Sequence, residues 1–200
     1  SDICCTSGNA RAVVESLGVD HVIMLPDEYL ARNIAAQTKV RITAWKGHCE
    51  VHERFSADDV RTLRDNHPGV TVLAHPECPP EVVAEADFAG STAAMSDYVG
   101  AKRPARVVLL TECSMSDNVA VLYPDIEFVR PCNLCPHMKR ITLQNIHDAL
   151  VYEQFEVTVD ADILDRARLA VQRMIDLPPP VVPARYDLVK ARHHVDVELI

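Results

Sequence analysis

The sequence predicts an α/β protein assembled from two copies of one unit, each with a short parallel sheet at its centre. Three observations carry this. Five apolar, β-branched runs of four to six residues (22–25, 40–45, 70–74, 107–110 and 126–129) are bounded by Gly, Pro, Asp or His. They lack period-two alternation, as strands covered on both faces do. Helical patterns fall between the runs, which is how parallel strands are connected. The sequence also resembles itself at an offset of 85 residues.

Taken in order, residues 2–5 read as a short strand that ends at Thr6-Ser7-Gly8-Asn9, where a helical pattern begins. The run 22–25 follows and ends at Pro26-Asp27, and the run 40–45 ends at Trp45-Lys46-Gly47. Ser56 can cap a helix over 57–66, with Asp59 three residues on and Phe55 and Val60 placed as a hydrophobic staple; His67-Pro68 ends it. The run 70–74 leads into His75-Pro76-Glu77, and a short strand near Phe88 leads into Gly90-Ser91-Thr92. The offset of 85 lays residues 2–7 over 87–92, 23–27 over 108–112, and the run 40–45 close to 126–129. It carries Cys49 onto Leu134, one residue short of Cys135. Thr142 can cap a helix from 143 to about 153, and residues 160–176 carry one apolar face: Ile163, Leu164, Ala167, Ala170, Val171, Met174 and Ile175. Residues 177–200, with Pro178, Pro179, Pro180 and Pro183, read as an extended tail.

Composition narrows the function classes. The chain has 200 residues, 48% hydrophobic and 24% charged, enough for one sizeable core or two small ones. The net charge of −9 has no basic stripe, so a nucleic-acid groove is not expected. No run approaches the ~18 apolar residues of a spanning helix, and no secretory leader is read, so the expectation is a cytoplasmic protein without a membrane partner. Seven cysteines without a leader point to metal binding, catalysis or core filling before a disulfide framework.

The residues able to do chemistry cluster at strand ends, where open α/β sheets bind ligands. Cys49, in Gly47-His48-Cys49-Glu50-Val51-His52, and Cys135, in Cys132-Asn133-Leu134-Cys135-Pro136-His137-Met138, occupy equivalent places in the two units. Cysteines on quasi-symmetric loops converge when the units pack about a common axis, which is the geometry of a shared metal site; each alone also reads as a small buried hydrophobe. Cys132 and Cys135 form a CxxC, open to zinc or dithiol readings. His75 and Glu77 place an imidazole and a carboxylate at one strand end, either as a general acid/base pair or as surface groups. Thr6-Ser7-Gly8-Asn9 and Gly90-Ser91-Thr92 are either anion cradles or plain N-caps. Asp27 and Glu112 stand between N-cap and site residue in the same way.

The joint set Thr6-Ser7-x-Asn9, Pro26-Asp27-x-x-Leu30, Trp45-Lys46-Gly47-x-Cys49-x-Val51-His52, His75-Pro76-Glu77-Cys78, Gly90-Ser91-Thr92, Thr111-Glu112 and Cys135-Pro136-x-Met138-Lys139 resembles quinolinate synthase over residues 1–176. The resemblance implies three pseudo-symmetric, three-layer αβα domains with short parallel sheets, each giving one cysteine to a 4Fe-4S cluster. Two of the three fall in this sequence: residues 1–50 as the remainder of the second, 51–139 as the third, then C-terminal helices over 140–176 and the tail over 177–200. It implies condensation of iminoaspartate with dihydroxyacetone phosphate to quinolinate, with loss of phosphate and two waters, in NAD biosynthesis. The activity is a transferase's, and an aspartate-oxidising enzyme supplies the iminoaspartate.

By motif position the resemblance makes Cys49 and Cys135 cluster ligands, and Glu77, His75 and His52 the catalytic residues. Ser7, His75, Pro76, Glu77, Ser91, Thr92 and Met138 become substrate-binding. Cys132 becomes an extra cysteine whose disulfide with Cys135 would compete with the cluster, and the other cysteines become incidental. The third ligand is expected upstream of Ser1, so the chain alone is expected to be an inactive part of a longer enzyme. Two other readings are a non-catalytic α/β anion-binding module and a structural zinc protein built on Cys132, Cys135 and His137.

Overall fold

Two short parallel sheets form where the β-branched runs lie. The computed structural model describes residues 1–178 and 197–200. The order is α1 (Ala10–Ser16), β1 (His21–Met24), α2 (Glu28–Ala35), β2 (Arg41–Ala44), α3 (Ala57–Asn66), β3 (Thr71–Ala74), α4 (Pro80–Glu85) and β4 (Phe88–Ala89). It continues with α5 (Thr92–Lys102), β5 (Arg106–Leu110), α6 (Ser114–Leu122), β6 (Glu127–Val129), α7 (Leu143–Val151), α8 (Ala161–Ile175) and β7 (Glu198–Leu199). One sheet has the order β1-β2-β7 and the other β4-β3-β5-β6, and every pairing is parallel.

The second sheet explains the unbroken apolar runs. Val72, Ala74, Val108 and Leu110 face a core with Phe55, Val60 and Val82, while Leu73, Val107 and Leu109 face another with Met95, Val99 and Val119. Alternate residues thus point to opposite faces and both faces are covered, so within β3 and β5 polar side chains are confined to the strand starts, Thr71 and Arg106. In the first sheet Met24, Ile42 and Ala44 pack with Ala10, Leu30, Ala31 and Ile34. β1 is its edge, and Ile23 on the far side is exposed, so the first run is covered on one face among the described residues.

The repeat runs further than the motifs that reveal it. The offset of about 85 relates α1 to α5, β1 to β5, α2 to α6, β2 to β6 and α3 to α7. It extends to the caps, since Ser56 with Asp59 and Thr142 with Asn145 form two capping boxes at matching places. The Phe55–Val60 staple is buried as expected.

One expectation is corrected, and the structure adds to two others. Residues 2–5 form no strand: their counterpart β4 pairs with β3, and no described strand is placed to do the same for Ile3. Cys4 N instead donates to Ala170 O (3.0 Å) and Arg173 Nη1 to Asp2 O (2.7 Å), which docks α8 on the amino-terminal segment. α8 forms where periodicity places it, but Ala170 alone of its face is buried, and Ile163, Leu164, Val171 and Ile175 are exposed. Periodicity defines a face and not what covers it. At the end of the expected extended tail, β7 adds a third parallel strand beside β2. Pro179, Pro180, Pro183, Lys190, Arg192, His193 and His194 lie outside the described residues.

Candidate functional site

The carboxyl ends of β1, β2, β3 and β5 feed one cluster of polar side chains. Asp27, directly after β1, settles its two readings by being both cap and tether. One carboxylate oxygen accepts from Leu30 N (2.7 Å) at the start of α2, and the other accepts from Cys49 N (2.9 Å). Glu28 N donates to Gly47 O (2.7 Å), so the loop after β2 is pinned to the loop after β1 at two points. Gly47 is required by close approach, since a Cβ there would lie 2.8 Å from Pro26 O.

This pinning presents Cys49 and the short 3-10 turn His52–Arg54 toward the end of β3. His52 is buried; its Nε2 lies 2.9 Å from Thr111 Oγ1, just past β5, and its Nδ1 lies 3.1 Å from Glu77 Oε2. That buried Nδ1 thus faces the carboxylate at ion-pair distance. His75 stacks on His52 with centroids 4.4 Å apart and planes 12° from parallel. His75 Nδ1 accepts from Glu77 N (3.3 Å), which makes it the unprotonated nitrogen of a neutral ring. One ligand-type atom each from Cys49, His52 and Glu77 lies within 4.8 Å of the others.

The environment separates the two imidazoles. Burial pushes His52 down, but hydrogen bonding and charge from Cys49 and Glu77 outweigh it and raise the pKa to about 9. Burial and then the charge of His52 lower His75 to about 4, against the pull of Glu77. Hydrogen bonding to His52 draws both Cys49 and Glu77 below their ordinary values, against burial. Burial raises Asp27. Charged His52 beside the Cys49 sulfur and the Glu77 carboxylate, with neutral His75 against it, is the pattern that assigns acid and base roles.

The remaining candidates fall into two groups. Gly8 approaches Ser91, whose Oγ would lie 3.4 Å from a Cβ at Gly8, so the two Ser/Thr-rich turns lie side by side. Asn9 Oδ1 closes the first turn by accepting from Thr6 N (2.7 Å) and Thr6 Oγ1 (3.1 Å). Ser91 caps α5 through Ala94 N (3.3 Å), and Thr92 opens that helix. Ser7, Thr92 and Met138 make no hydrogen bond, ion pair or ring contact with the histidine cluster among the described residues. Pro76 is buried between His75 and Glu77, and its carbonyl accepts from Asn33 Nδ2 (2.8 Å), tying α2 to this loop.

Cys135 is a free, half-buried thiol whose Sγ accepts from Met138 N (3.5 Å). Its loop meets that of Cys49 through His137 Nε2 and Glu50 Oε1, 3.1 Å apart. Cys132 is bonded to Cys113 and not to Cys135, with Cα atoms 5.0 Å apart, so neither partner is incidental and the CxxC is not a free dithiol. This also removes a ligand from the structural zinc reading. Glu112 accepts from Ser114 N (2.9 Å) and so serves α6. Read from the sequence, Thr111 and Glu50 have no role and His137 has only a place in the zinc reading; the Thr111-Glu112 motif was the signal for the first, and only the fold brings Glu50 and His137 together.

Among the described residues no helix is long and apolar enough to cross a membrane. The family model described as NadA, quinolinate synthetase A protein, matches residues 1–176. The chain is 70% identical over 204 residues to the quinolinate synthase of Caulobacter vibrioides (strain NA1000 / CB15N), covering 100% of this chain and 56% of that protein. It is 74% identical over 175 residues to quinolinate synthase 2 of Mesorhizobium japonicum, covering 88% of this chain and 54% of that protein. It is 73% identical over 177 residues to the quinolinate synthase of Agrobacterium fabrum, covering 88% of this chain and 51% of that protein. The chain thus spans about half the length of the curated relatives it matches.

Proposed function

The chain belongs to the quinolinate synthetase A family, and on that premise we propose that it supplies the histidine–glutamate part of a quinolinate synthase active site. The reaction is condensation of iminoaspartate with dihydroxyacetone phosphate to quinolinate, with loss of phosphate and two waters. The observation that carries the reading is the convergence of Cys49, His52, His75 and Glu77 at adjoining strand ends.

In this reading His52 is the proton donor. Glu77 beside Nδ1 and Thr111 at Nε2 hold its ring in place, and a developing hydroxide or alkoxide leaving group takes its proton. His75, neutral and stacked on it with its proton on Nε2, donates a hydrogen bond to a substrate oxygen, and the Glu77 carboxylate takes the substrate proton. Pro76 shapes the turn that keeps His75 and Glu77 on one side of the loop. Ser7, Ser91 and Thr92, at the starts of two helices, hold the substrate carboxylates, and Met138 lines the cavity.

A 4Fe-4S cluster belongs to this proposal as well. Cys49 and Cys135 fit two of its ligands: both thiols are free, and their loops are joined through Glu50 and His137. Cys78 does not fit a third, because its Sγ is buried and turned to Leu110 O (3.4 Å). When bound, the cluster supplies an open iron as Lewis acid for dehydration. The third thiolate, the iminoaspartate supplier and a cytoplasmic location remain parts of the proposal.

Oxaloacetate, the oxygen analogue of iminoaspartate, tests the substrate half. Calorimetric titration of the chain should show binding that weakens in Ser7→Ala, Thr92→Val and His75→Ala. Undiminished binding in all three would remove the assigned cradle. For the reaction, anaerobic assay of the full-length protein containing this sequence should yield quinolinate, and Glu77→Gln should abolish it; unchanged turnover in that variant would overturn the role of Glu77.

A further inference from the structure

We propose that β7 is a strap that positions the Cys49 loop: residues 197–200 dock along β2 and hold the turn from which that loop departs. The inference concerns how the chain holds one of its own thiols, so it stands or falls apart from the reaction proposed above.

β7 adds to β2 as a third parallel strand, with Thr43 opposite Glu198 and Ala44 opposite Leu199. Backbone pairing continues past the end of β2. Ile200 N donates to Ala44 O (3.0 Å), and Lys46 N donates to Ile200 O (3.0 Å). Strand addition of this kind draws its hold from main-chain hydrogen bonds and its selectivity from alternate side chains. Here Val197 packs against the core of Met24, Ile42 and Ala44, and Glu198 Oε2 accepts from buried Thr43 Oγ1 (3.4 Å).

Lys46 is where this hold meets the site. Gly47, next in sequence, carries the carbonyl that accepts from Glu28 N (2.7 Å), and Cys49 N donates to the Asp27 carboxylate (2.9 Å). The turn is thus gripped by the loop after β1 on one side and by β7 on the other. The internal repeat supplies an independent comparison. Lys46 stands three residues before Cys49, as Cys132 stands three before Cys135. Cys132 is bonded to Cys113, just past β5, and Asn133 O accepts from Cys113 N (3.3 Å). The second sheet ends at β6, with no strand beyond it among the described residues. Each cysteine loop therefore has a fastener at the same position, a disulfide in one unit and β7 in the other. β7 lies outside residues 1–176, so the family likeness gives no account of it.

Amide hydrogen exchange of the whole chain, resolved residue by residue, tests the strap. Lys46 N–H should be protected in the parent. Deleting residues 197–200 should expose it and should also speed exchange at Cys49 N–H, whose acceptor is Asp27 and not β7. The expected acceleration at Cys49 is about 5–30-fold, the worth of two lost backbone hydrogen bonds. Ile200→Pro, which removes the donor to Ala44 O, should act in the same direction by a smaller factor, and iodoacetamide labelling of Cys49 should follow the same order. Lys139 N–H, bonded to Cys135 O (3.1 Å) in the other cysteine loop, should keep its rate. An unprotected Lys46 N–H in the parent, or unchanged exchange at Cys49 in the deletion, overturns the proposal. Equal acceleration at Lys139 overturns it too, by making β7 a general stabiliser and not a positioning element.

Discussion

The His52 and His75 rings lie face to face, 4.4 Å apart, and their surroundings drive their protonation in opposite directions. The consequence for the metal-free chain is a stability maximum near pH 6.5. His75, lowered to about 4, refuses a proton that an unfolded histidine takes at about 6.5, so its contribution is lost as pH falls from 6.5 toward 4. Glu77, also lowered, loses its contribution on the same acid side. His52, raised to about 9, contributes fully below about 6.5 and loses that contribution as pH rises toward 9. Thermal melts across pH 4 to 9 should therefore fall on both sides, and His75→Gln should flatten the acid limb while sparing the alkaline one. A His75→Gln profile identical to the parent's would refute the assignment.

Asp27 joins helix and site, so its removal should be felt in both. Asp27→Ala removes the cap of α2 and the acceptor for Cys49 N, costing about 1–2 kcal/mol from the cap and about 1 kcal/mol from the second bond. Asp27→Asn retains one oxygen acceptor, so only one of the two bonds survives. Denaturant melts should rank the parent above Asn and Asn above Ala. The rate of Cys49 alkylation should change in both variants, since its backbone anchor is altered; unchanged reactivity would show that the loop is held elsewhere.

The Cys113–Cys132 bond ties the loop after β5 to the segment after β6 and closes a stretch of 19 residues. A loop of that size is worth about 3 kcal/mol in the chain-entropy account. Non-reducing peptide mapping should recover a Cys113–Cys132 pair, and Cys113→Ser should lower stability by about that amount. Recovery of Cys132 joined to Cys135 would contradict this pairing.

Much of this fold is legible in the residues because local and non-local signals agree. Ser56 and Thr142 carry complete capping boxes, and the stretches 72–74 and 107–110 are apolar at every position because both faces are covered. Cys49, His75 and Glu77 stand out because strand ends gather functional groups, whereas His52 is marked only by the family motif. Less legible was anything set by a partner distant in sequence. Ile3 had the composition of a strand but no strand beside it, and Glu198–Leu199 had a Pro-rich tail before it yet found β2. Cys113 and Cys132 gave no sign of their bond, because it depends on how β5 and β6 align.

The apolar faces of α7 and α8 provide the last test, because sequence and structure part company there. Leu143 is 88% and Leu150 78% exposed, and Ile163 and Ile175 are open as well, whereas Ala170 is buried against the backbone of Cys4. An exposed residue loses no burial on becoming polar, so Leu143→Lys and Leu150→Lys should each change stability by no more than about 0.5 kcal/mol. Ala170→Leu should cost about 1–3 kcal/mol, since the added methyl groups meet a close backbone contact. Chemical denaturation at two protein concentrations checks both. A large loss in Leu150→Lys, together with a midpoint that rises with concentration, would mean that these faces are covered by a second copy of the chain. Insensitivity to concentration with an intact Leu150→Lys would establish that α8 is held by the few contacts around Ala170 and Arg173.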